Sequence, residues 1–337
     1  MTLKKLFIGL SIGLFLGACS TPTIPEKTNK TPSNNTNFPT AECDNPSKRF
    51  KEDIFPELTL HQNIKYSRNT TMQNQTVDLK MDIFEPQYDS TQGRPLVIWA
   101  HGGYFCFGDK SNFHDVCQFL SRKGWVTASI DYRKWRKRSL PDSLEYMETA
   151  IRATHDLHAA IQFFKEDAAH DDEYGIDTNR IFIGGYSAGG IMAAQVAYLN
   201  RLDEVPAHFK TLLTKNGGLR GNDNYQHSSE VAGTIVIAGG LYSTQMLADG
   251  STIPFLGIQG TQDDVVPYRH SWAYSPMGTP VLQMSGTAAM HKVNEEKGIP
   301  STLVSLPRGD HNAPWDPLWL ERTMGSIHKF LLKHSCE

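Results

Sequence analysis

The sequence lacks the features of several specialised protein classes. Its 33 Lys and Arg are nearly balanced by 36 Asp and Glu, which leaves no excess of positive charge for binding nucleic acid. With 39% hydrophobic and 20% charged residues, it does not resemble a collagen, a wholly disordered chain or a polytopic membrane protein. CxxC and HxxxH spacings are absent, so we expect no metal site. Any function must therefore come from a local site.

The apolar run near the start is too short to cross a membrane. Residues 6–16 form this run, whereas a transmembrane helix needs about 20 residues. The run follows Lys4 and Lys5 and ends in Leu-Gly-Ala-Cys, which is typical of a signal peptide and resembles a bacterial lipobox. We predict a lipoprotein signal peptide over residues 1–18 and a lipid on Cys19, with plain secretion and nearby cleavage as the alternative.

A polar segment follows the predicted lipidation site. Residues 19–42 are mostly Thr, Pro, Asn and Ser, and such a segment buries too little apolar surface to offset its ordering entropy. We interpret it as a flexible tether. The protein is then expected to be exported and held at a membrane surface of the bacterial cell envelope by its N-terminal lipid. In a host with two membranes, Ser20 after the cysteine resembles the pattern for sorting to the outer membrane. Residues 43–337 are left as one folded domain.

An exported protein meets an oxidising compartment, in which its remaining cysteines can form disulfides. Without Cys19, four of the five cysteines remain, and an even number in an oxidising compartment is typical of disulfides. Three pairings are possible. We favour Cys106 with Cys117, which are close in sequence, and Cys43 with Cys336, which would join the ends of the domain. Four free thiols are the alternative.

The rest of the chain alternates strand and helix patterns. Residues 77–83 alternate apolar and polar side chains, which predicts a half-exposed strand, and residues 62–66 suit an antiparallel partner. Residues 200–226 are polar and irregular, so we expect a surface excursion there. The other predicted strands, each an apolar run, are residues 96–100, 125–130, 180–184, 232–238, 253–259 and 302–306, and the predicted helices are 110–122, 142–165, 188–200, 287–296 and 317–333. Alternation of this kind predicts an α/β fold with a mostly parallel sheet of about eight strands and helices on both faces.

Four polar motifs follow predicted strands, at the sheet edge where α/β proteins bind their ligands. They are HGGY (101–104), GYSAG (185–189), GTQDDVVP (260–267) and GDHN (309–312). The second fits G-x-S-x-G, in which a serine stands on a tight strand-to-helix turn and the glycines leave room for it. A serine hydroxyl needs a base to accept its proton, and the base needs an orienting carboxylate.

Three residues occur in the chain order nucleophile, acid, histidine that α/β-hydrolases use. They are Ser187, Asp263 and His311, each after a separate strand. Asp264 is the alternative acid, because it is adjacent to Asp263 and only one of the two can reach the histidine.

An acyl-transfer site also needs backbone N–H groups for the oxyanion of its tetrahedral intermediate, each worth about 3–4 kcal/mol. We assign these groups to Gly102, Gly103 and Ala188, because glycines let the backbone approach a substrate closely.

Together these motifs resemble the HGG-type esterases and lipases of the α/β-hydrolase superfamily, nearest the bacterial carboxylesterases and the feruloyl or acetyl-xylan esterase-like branch. The resemblance covers roughly residues 60–333 and includes SIDYR (129–133) and GIDTNRI (175–181). In that family the acid is the third residue after the motif's glycine, which matches Asp263. Tyr104 is a departure, because many members have a Gly, Ala or Trp there.

The resemblance implies an α/β-hydrolase domain over residues 43–337 and hydrolysis through an acyl-enzyme, without a metal or organic cofactor. The implied substrates are esters of short acids, or carbohydrate and phenolic esters, either small or borne on a polysaccharide. A serine peptidase or amidase of the same fold, or an inactive surface-binding protein, is the alternative. Residues 133–138 form a strongly basic loop, which we interpret as solvated or as contacting anionic headgroups or an acidic substrate.

Overall fold

The computed structural model describes residues 48–221, 227–247 and 250–335. The predicted signal peptide and tether lie outside these ranges, as do three cysteines, Cys19, Cys43 and Cys336. The pairing of Cys43 with Cys336 and the domain boundary at residue 43 therefore stay predictions.

The described residues form eleven strands and six α-helices. The strands are β1 (Leu58–Thr70), β2 (Thr76–Pro86), β3 (Arg94–Ala100), β4 (Val126–Ile130), β5 (Ile176–Tyr186), β6 (Gly233–Ile237), β7 (Gly240–Leu241), β8 (Phe255–Gly260), β9 (His270–Tyr274), β10 (Pro280–Gly286) and β11 (Ser301–Leu306). The helices are α1 (His114–Ser121), α2 (Ser143–His170), α3 (Ala188–Tyr198), α4 (Ala207–Lys215), α5 (Thr287–Glu296) and α6 (Leu320–Ser335). Short 3₁₀ turns occupy Lys110–Phe113, Leu202–Glu204, Thr244–Met246 and Ala313–Trp315.

Eight of the strands form one sheet in the order β1-β2-β4-β3-β5-β6-β8-β11. The pairs β1–β2 and β2–β4 are antiparallel, and the other neighbours are parallel. The predicted sheet, its size and its antiparallel start are thereby confirmed. The carboxyl ends of the parallel strands meet at one edge, which places the four polar motifs together.

Strand β3 shows why its sequence is continuously apolar. Leu96 and Ile98 pack with α2 and α3 on one face of the sheet. Val97 and Trp99 pack with α1 and α6 on the other face. Because successive side chains of a strand point to opposite faces, a strand covered on both sides needs apolar residues throughout.

A capping box begins the long helix α2. The Asp142 carboxylate accepts hydrogen bonds from Leu144 N and Glu145 N, both at 2.9 Å, and the Glu145 carboxylate accepts one from Asp142 N. These contacts satisfy N–H groups that have no acceptor inside the helix. The start of α2 is therefore fixed beside the carboxyl edge of the sheet.

Sequence analysis missed a second sheet and a helix. The strands β7, β10 and β9 form a three-stranded antiparallel sheet, which we call the accessory sheet. Two of its strands lie between the predicted acid motif and α5, and β9 is mostly exposed, so it has no clear apolar alternation. The expectation of an irregular excursion over residues 200–226 was also wrong, because α4 lies there and buries Phe209, Leu212 and Leu213.

The predicted disulfide between Cys106 and Cys117 was wrong, because both residues are free thiols. Cys117 is buried in α1, in the core on the Val97 face of the sheet. Cys106 packs against the core on the opposite face. A disulfide requires Cα atoms within about 7 Å, which the intervening sheet prevents.

Within the described ranges, no helix has the length and apolar character that crossing a bilayer would require.

Candidate functional site

Ser187 occupies a strained turn between β5 and α3. Its φ and ψ angles are 55° and −116°, a left-handed conformation that non-glycine residues avoid. The flanking glycines are sterically required, because a Cβ on Gly189 would lie 1.9 Å from Ala100 O. A Cβ on Gly185 would lie 2.3 Å from the Gly189 carbonyl carbon. The chain therefore turns sharply at the serine and presents its hydroxyl at the sheet edge.

The structure brings the three separated polar residues of the sequence into one chain of contacts. His311 Nε2 lies 2.9 Å from Ser187 Oγ. His311 Nδ1 lies 2.9 Å from each carboxylate oxygen of Asp263. Because a carboxylate only accepts, the ring proton is on Nδ1, which leaves the Nε2 lone pair to accept the serine hydroxyl.

It is Asp263, and not the exposed Asp264, that contacts the histidine. The Asp263 side chain has no solvent exposure. Its Oδ1 also accepts hydrogen bonds from Val265 N and Val266 N, both at 3.0 Å. These N–H groups give the buried carboxylate hydrogen-bond partners and fix its orientation towards His311.

Gln259 is a site residue that sequence analysis missed. It is fully buried, and its amide nitrogen donates to Asp263 Oδ2 and to Val266 O, both at 2.9 Å. Its amide oxygen accepts from Thr287 N at 3.0 Å and from Thr287 Oγ1 at 2.7 Å. The signal in the sequence was a single amide side chain inside the otherwise apolar strand β8.

Backbone contacts hold the loops of the acid and the histidine together. Gln262 N donates to Gly309 O at 2.9 Å, and Thr261 N donates to Leu306 O at 3.0 Å. These loops follow β8 and β11, which are neighbouring parallel strands. The distance between Asp263 and His311 is thus set by strand pairing and not by the side chains alone.

Tyr186 fixes the histidine loop from the other side. Its hydroxyl donates to Asn312 Oδ1 at 2.8 Å and approaches His311 O at 3.2 Å. Its ring centroid lies 5.2 Å from that of His311. Sequence analysis treated this residue only as a variable position of the G-x-S-x-G motif.

The HGG loop is braced by buried aromatic rings. His101 Nδ1 donates to Gly102 O at 2.6 Å, and the His101 ring stacks on Tyr132 with centroids 4.2 Å apart. The Tyr132 hydroxyl donates to His101 O at 2.8 Å. Burial lowers the pKa of His101 to about 4, so the ring is neutral near pH 7. This bracing fixes the backbone of the loop.

The three predicted oxyanion residues lie at the same edge as Ser187. Gly103 has a φ of 117°, and a Cβ there would lie 2.3 Å from Phe107 O. A Cβ on Gly102 would lie 2.7 Å from the ring of Tyr186, the residue before the serine. Ala188 is the first residue of α3, so its N–H has no acceptor inside the helix. All three residues therefore lie close to the turn that carries Ser187.

A cavity of about 600 Å³ lies between the accessory sheet and the helices α2 and α4. Met147 of α2, Phe209 of α4 and Trp272 of β9 are part of its mostly apolar lining. Tyr242 also lines it and follows β6, whose Ile237 O accepts the Ser187 N–H at 2.8 Å. The cavity therefore lies on the carboxyl side of β6 and β7, and Ser187 and His311 are not part of its lining.

A serine hydroxyl hydrogen-bonded to a histidine base is suited to attack on a carbonyl carbon. Within the part of the chain that the structure describes, no group of three or more His, Cys, Asp or Glu is arranged as metal ligands.

Comparison with known proteins gives partial matches in sequence. The BD-FAE family model matches residues 81–239, slightly less than half of the chain. Lipase 2 of Moraxella sp. (strain TA144) is 33% identical over 102 residues, which cover 30% of this chain and 21% of the lipase. The human protein arylacetamide deacetylase-like 2 is 31% identical over 157 residues, covering 44% of this chain and 35% of that protein. The chain thus spans about a fifth to a third of these relatives.

Solved structures match over a larger part of the chain. A thermophilic esterase of Thermogutta terrifontis, in its native form, has a TM-score of 0.57 and 19% sequence identity. The match covers 83% of this chain and 93% of that one. Together with the eight-stranded sheet and the strand-turn-helix at Ser187, it shows that the chain has the α/β-hydrolase fold.

Proposed function

We propose that the protein is a carboxylesterase, a serine hydrolase of carboxylic esters. The observation that carries the proposal is the continuous contact from Asp263 through His311 to Ser187, with both steps at 2.9 Å. The sequence relatives, named lipase 2 and arylacetamide deacetylase-like 2, give independent support for acyl-group hydrolysis.

In this mechanism Ser187 Oγ attacks the ester carbonyl carbon, and its proton moves to His311 Nε2. The carbonyl oxygen becomes an oxyanion, which accepts hydrogen bonds from N–H groups of Gly102, Gly103 and Ala188. When the tetrahedral intermediate collapses, His311 donates the proton to the leaving alcohol and an acyl-serine remains. Water then attacks the acyl group with the same histidine as base, releasing the acid and restoring the hydroxyl.

Asp263 acts through the histidine. Its carboxylate keeps the proton of the neutral ring on Nδ1 and stabilises the imidazolium that forms during attack. Gln259 holds this carboxylate in place, so we propose it as a positioning residue. Neither residue touches the ester itself.

The substrates that we propose are esters of short acids, or carbohydrate and phenolic esters. Tyr104 follows the oxyanion glycines, and its ring packs against that of Tyr146 with centroids 4.8 Å apart. A bulky buried residue there leaves less room on the acyl side than a Gly or Ala would. The cavity with Trp272 in its lining offers an apolar surface for a sugar or phenolic ring.

Hydrolysis of p-nitrophenyl acetate, butyrate, octanoate and palmitate tests the proposal, with Ser187→Ala as the control. We expect activity that falls as the acyl chain lengthens and disappears in the variant. Parallel assays with p-nitroanilides distinguish an amidase or peptidase. Folded protein without serine-dependent activity on any ester would contradict the proposal.

We also propose that the chain is exported and anchored by a lipid on Cys19. The support is the sequence pattern of residues 1–19, which lie outside the described ranges. In cells fed labelled palmitate, the wild-type protein should incorporate the label and the Cys19→Ser variant should not. Equal labelling of the two proteins would contradict a lipid at this residue.

A further inference from the structure

Five large exposed apolar side chains lie in segments that follow strands at the carboxyl edge of the sheet. They follow the carboxyl ends of β3, β4 and β8, and they are Phe107 (59% exposed), Leu144 (55%), Trp272 (45%), Tyr274 (37%) and Met277 (82%). Single exposed apolar residues are ordinary, but a contiguous group of them marks an interaction surface.

Hydrogen bonds join the segments that carry these side chains. Trp135 N donates to Phe105 O at 2.8 Å, which places the basic loop (residues 133–138) beside Phe107. Ser143 Oγ donates to Val281 O at 2.6 Å, which places the start of α2 against the accessory sheet. Because residues 133–144 are continuous in the chain, they link the segment of Phe107 at one end to the accessory sheet at the other.

The same segments carry an excess of positive charge. Residues 131–144 contain five Lys and Arg but two Asp, and residues 265–286 contain Arg269 and no acidic residue. Both of the Asp are engaged, because Asp142 caps α2 and Asp131 lies 3.7 Å from Lys134.

Three of the cations in the basic loop are exposed. They are Arg136, Lys137 and Arg138. Lys137 lies 3.2 Å from the Glu145 carboxylate. Among the described residues, Arg136 and Arg138 have no carboxylate partner. Together with the five exposed apolar side chains, these three cations and Arg269 form what we call the docking face.

We propose that the docking face binds the surface of an anionic phospholipid bilayer. Lys and Arg side chains are attracted to anionic headgroups, and Trp and Tyr favour the boundary between headgroups and acyl chains. The combination is that of a protein lying on a membrane surface, separate from any N-terminal anchor. Phe107 N donates to the carbonyl of Gly103, so this end of the docking face adjoins the HGG loop.

Binding of the full-length chain to sedimented vesicles tests this proposal and does not depend on its hydrolytic activity. Neutral phosphatidylcholine vesicles are compared with vesicles containing 30% phosphatidylglycerol. The test variant carries Arg136→Gln, Lys137→Gln and Arg138→Gln. The matched control carries Lys51→Gln, Lys329→Gln and Lys333→Gln, which removes the same charge from exposed positions outside the docking face.

The wild type and the control should prefer the anionic vesicles, and the test variant should bind them on the order of 10- to 100-fold more weakly. The preference should also shrink in the wild type at 0.5 M salt, because surface charges are then screened. Trp272→Gln should weaken binding at either salt concentration. All these proteins share residues 1–47, so the differences report on the folded part.

Two outcomes would overturn the proposal. One is equal binding of the test and control variants to anionic vesicles. The other is an affinity for soluble polygalacturonate that equals the affinity for the vesicles and that Trp272→Gln does not change. This result would identify an acidic polysaccharide as the partner. Thermal unfolding of each variant verifies that it is folded, and the salt dependence of the wild type tests the charge contribution without any substitution.

Discussion

Ser187 and Ser229 both contact buried histidines, but their surroundings differ. Ser187 Oγ lies 2.9 Å from His311 Nε2, and Ser229 Oγ lies 2.7 Å from His158 Nδ1. His311 has the carboxylate of Asp263 on its other nitrogen. His158 lies in the middle of α2, where burial lowers its pKa to about 3.

The two serines also differ in their backbone. Ser187 stands at a positive φ between two glycines at the start of a helix, whereas Ser229 is buried in a connection before β6. A short contact between serine and histidine is thus insufficient for a nucleophile. The orienting carboxylate, the strained turn and the nearby N–H groups distinguish the site from a structural hydrogen bond.

The largest expected difference between the Ser187–His311 and Ser229–His158 pairs is the loss of kcat when each serine hydroxyl is removed. We expect Ser187→Ala to lower kcat by on the order of 10⁴- to 10⁶-fold, because the nucleophile is lost. Ser229→Ala should leave kcat within about two-fold and lower the free energy of unfolding by about 1 kcal/mol. Steady-state hydrolysis of p-nitrophenyl butyrate and chemical unfolding measure these effects. Comparable kcat losses in both variants would contradict the distinction.

The orienting carboxylate is the next component to remove. Asp263→Asn should lower kcat by on the order of 10³- to 10⁴-fold, because an amide in its place favours the wrong tautomer of His311. Asp264→Asn is the matched control, since its side chain is exposed, and it should retain activity close to that of the wild type. If Asp264→Asn is the more damaging substitution, the assignment of the acid is wrong.

The strained turn can be perturbed without touching any of the three side chains. Gly189→Ala places a methyl group 1.9 Å from Ala100 O, where backbone must move to admit it. We expect the free energy of unfolding to fall by about 3 kcal/mol, together with a loss of kcat. Gly325→Ala, on α6, is the control, because a Cβ there meets nothing within 4 Å. Thermal unfolding and kcat, measured on both variants, test this effect.

The smallest expected effect concerns His158, the partner of Ser229. An unfolded histidine has a pKa of about 6.5, and burial lowers the pKa of His158 to about 3 in the folded chain. The unfolded state therefore binds more protons below pH 6.5, so the free energy of unfolding should fall as the pH drops from about 6.5 towards 4. His158→Gln should reduce that slope by up to about 1.4 kcal/mol per pH unit. Urea unfolding at pH 7, 6 and 5 measures the slope, and an unchanged slope in His158→Gln would contradict this account.

The parallel sheet was predictable because its strands are buried on both faces. Apolar runs such as β3 and β6 stand out in the sequence, and the helices between them follow a regular order. Strand β9 was missed for the opposite reason, because it is mostly exposed and has no apolar alternation. Helix α4 is different: its buried residues Phe209, Leu212 and Leu213 have the spacing of one helix face, but the helix has only nine residues and lies in a mostly polar stretch, so the pattern was overlooked.

The candidate site was predictable where motifs follow strands. Ser187, Asp263 and His311 each occupy such a position, and the fold brings them together. Gln259 and Tyr186 were missed because their roles depend on partners far away in sequence, Thr287 and Asn312. The sequence pattern alone did not indicate those contacts. The disulfide prediction was wrong for a related reason: Cys106 and Cys117 are close in sequence but pack on opposite faces of the sheet.

The amide of Gln259 has a consequence for how this protein can be altered. Its nitrogen holds Val266 O, and its oxygen holds Thr287 N. Val266 and Thr287 stand at the start and the end of the segment that contains β9 and β10. Both ends of the segment are therefore tied to the side chain that also holds Asp263. A change at Gln259 is expected to loosen the accessory sheet together with the carboxylate, so the shape of this surface and the geometry of the site cannot be altered independently through that residue.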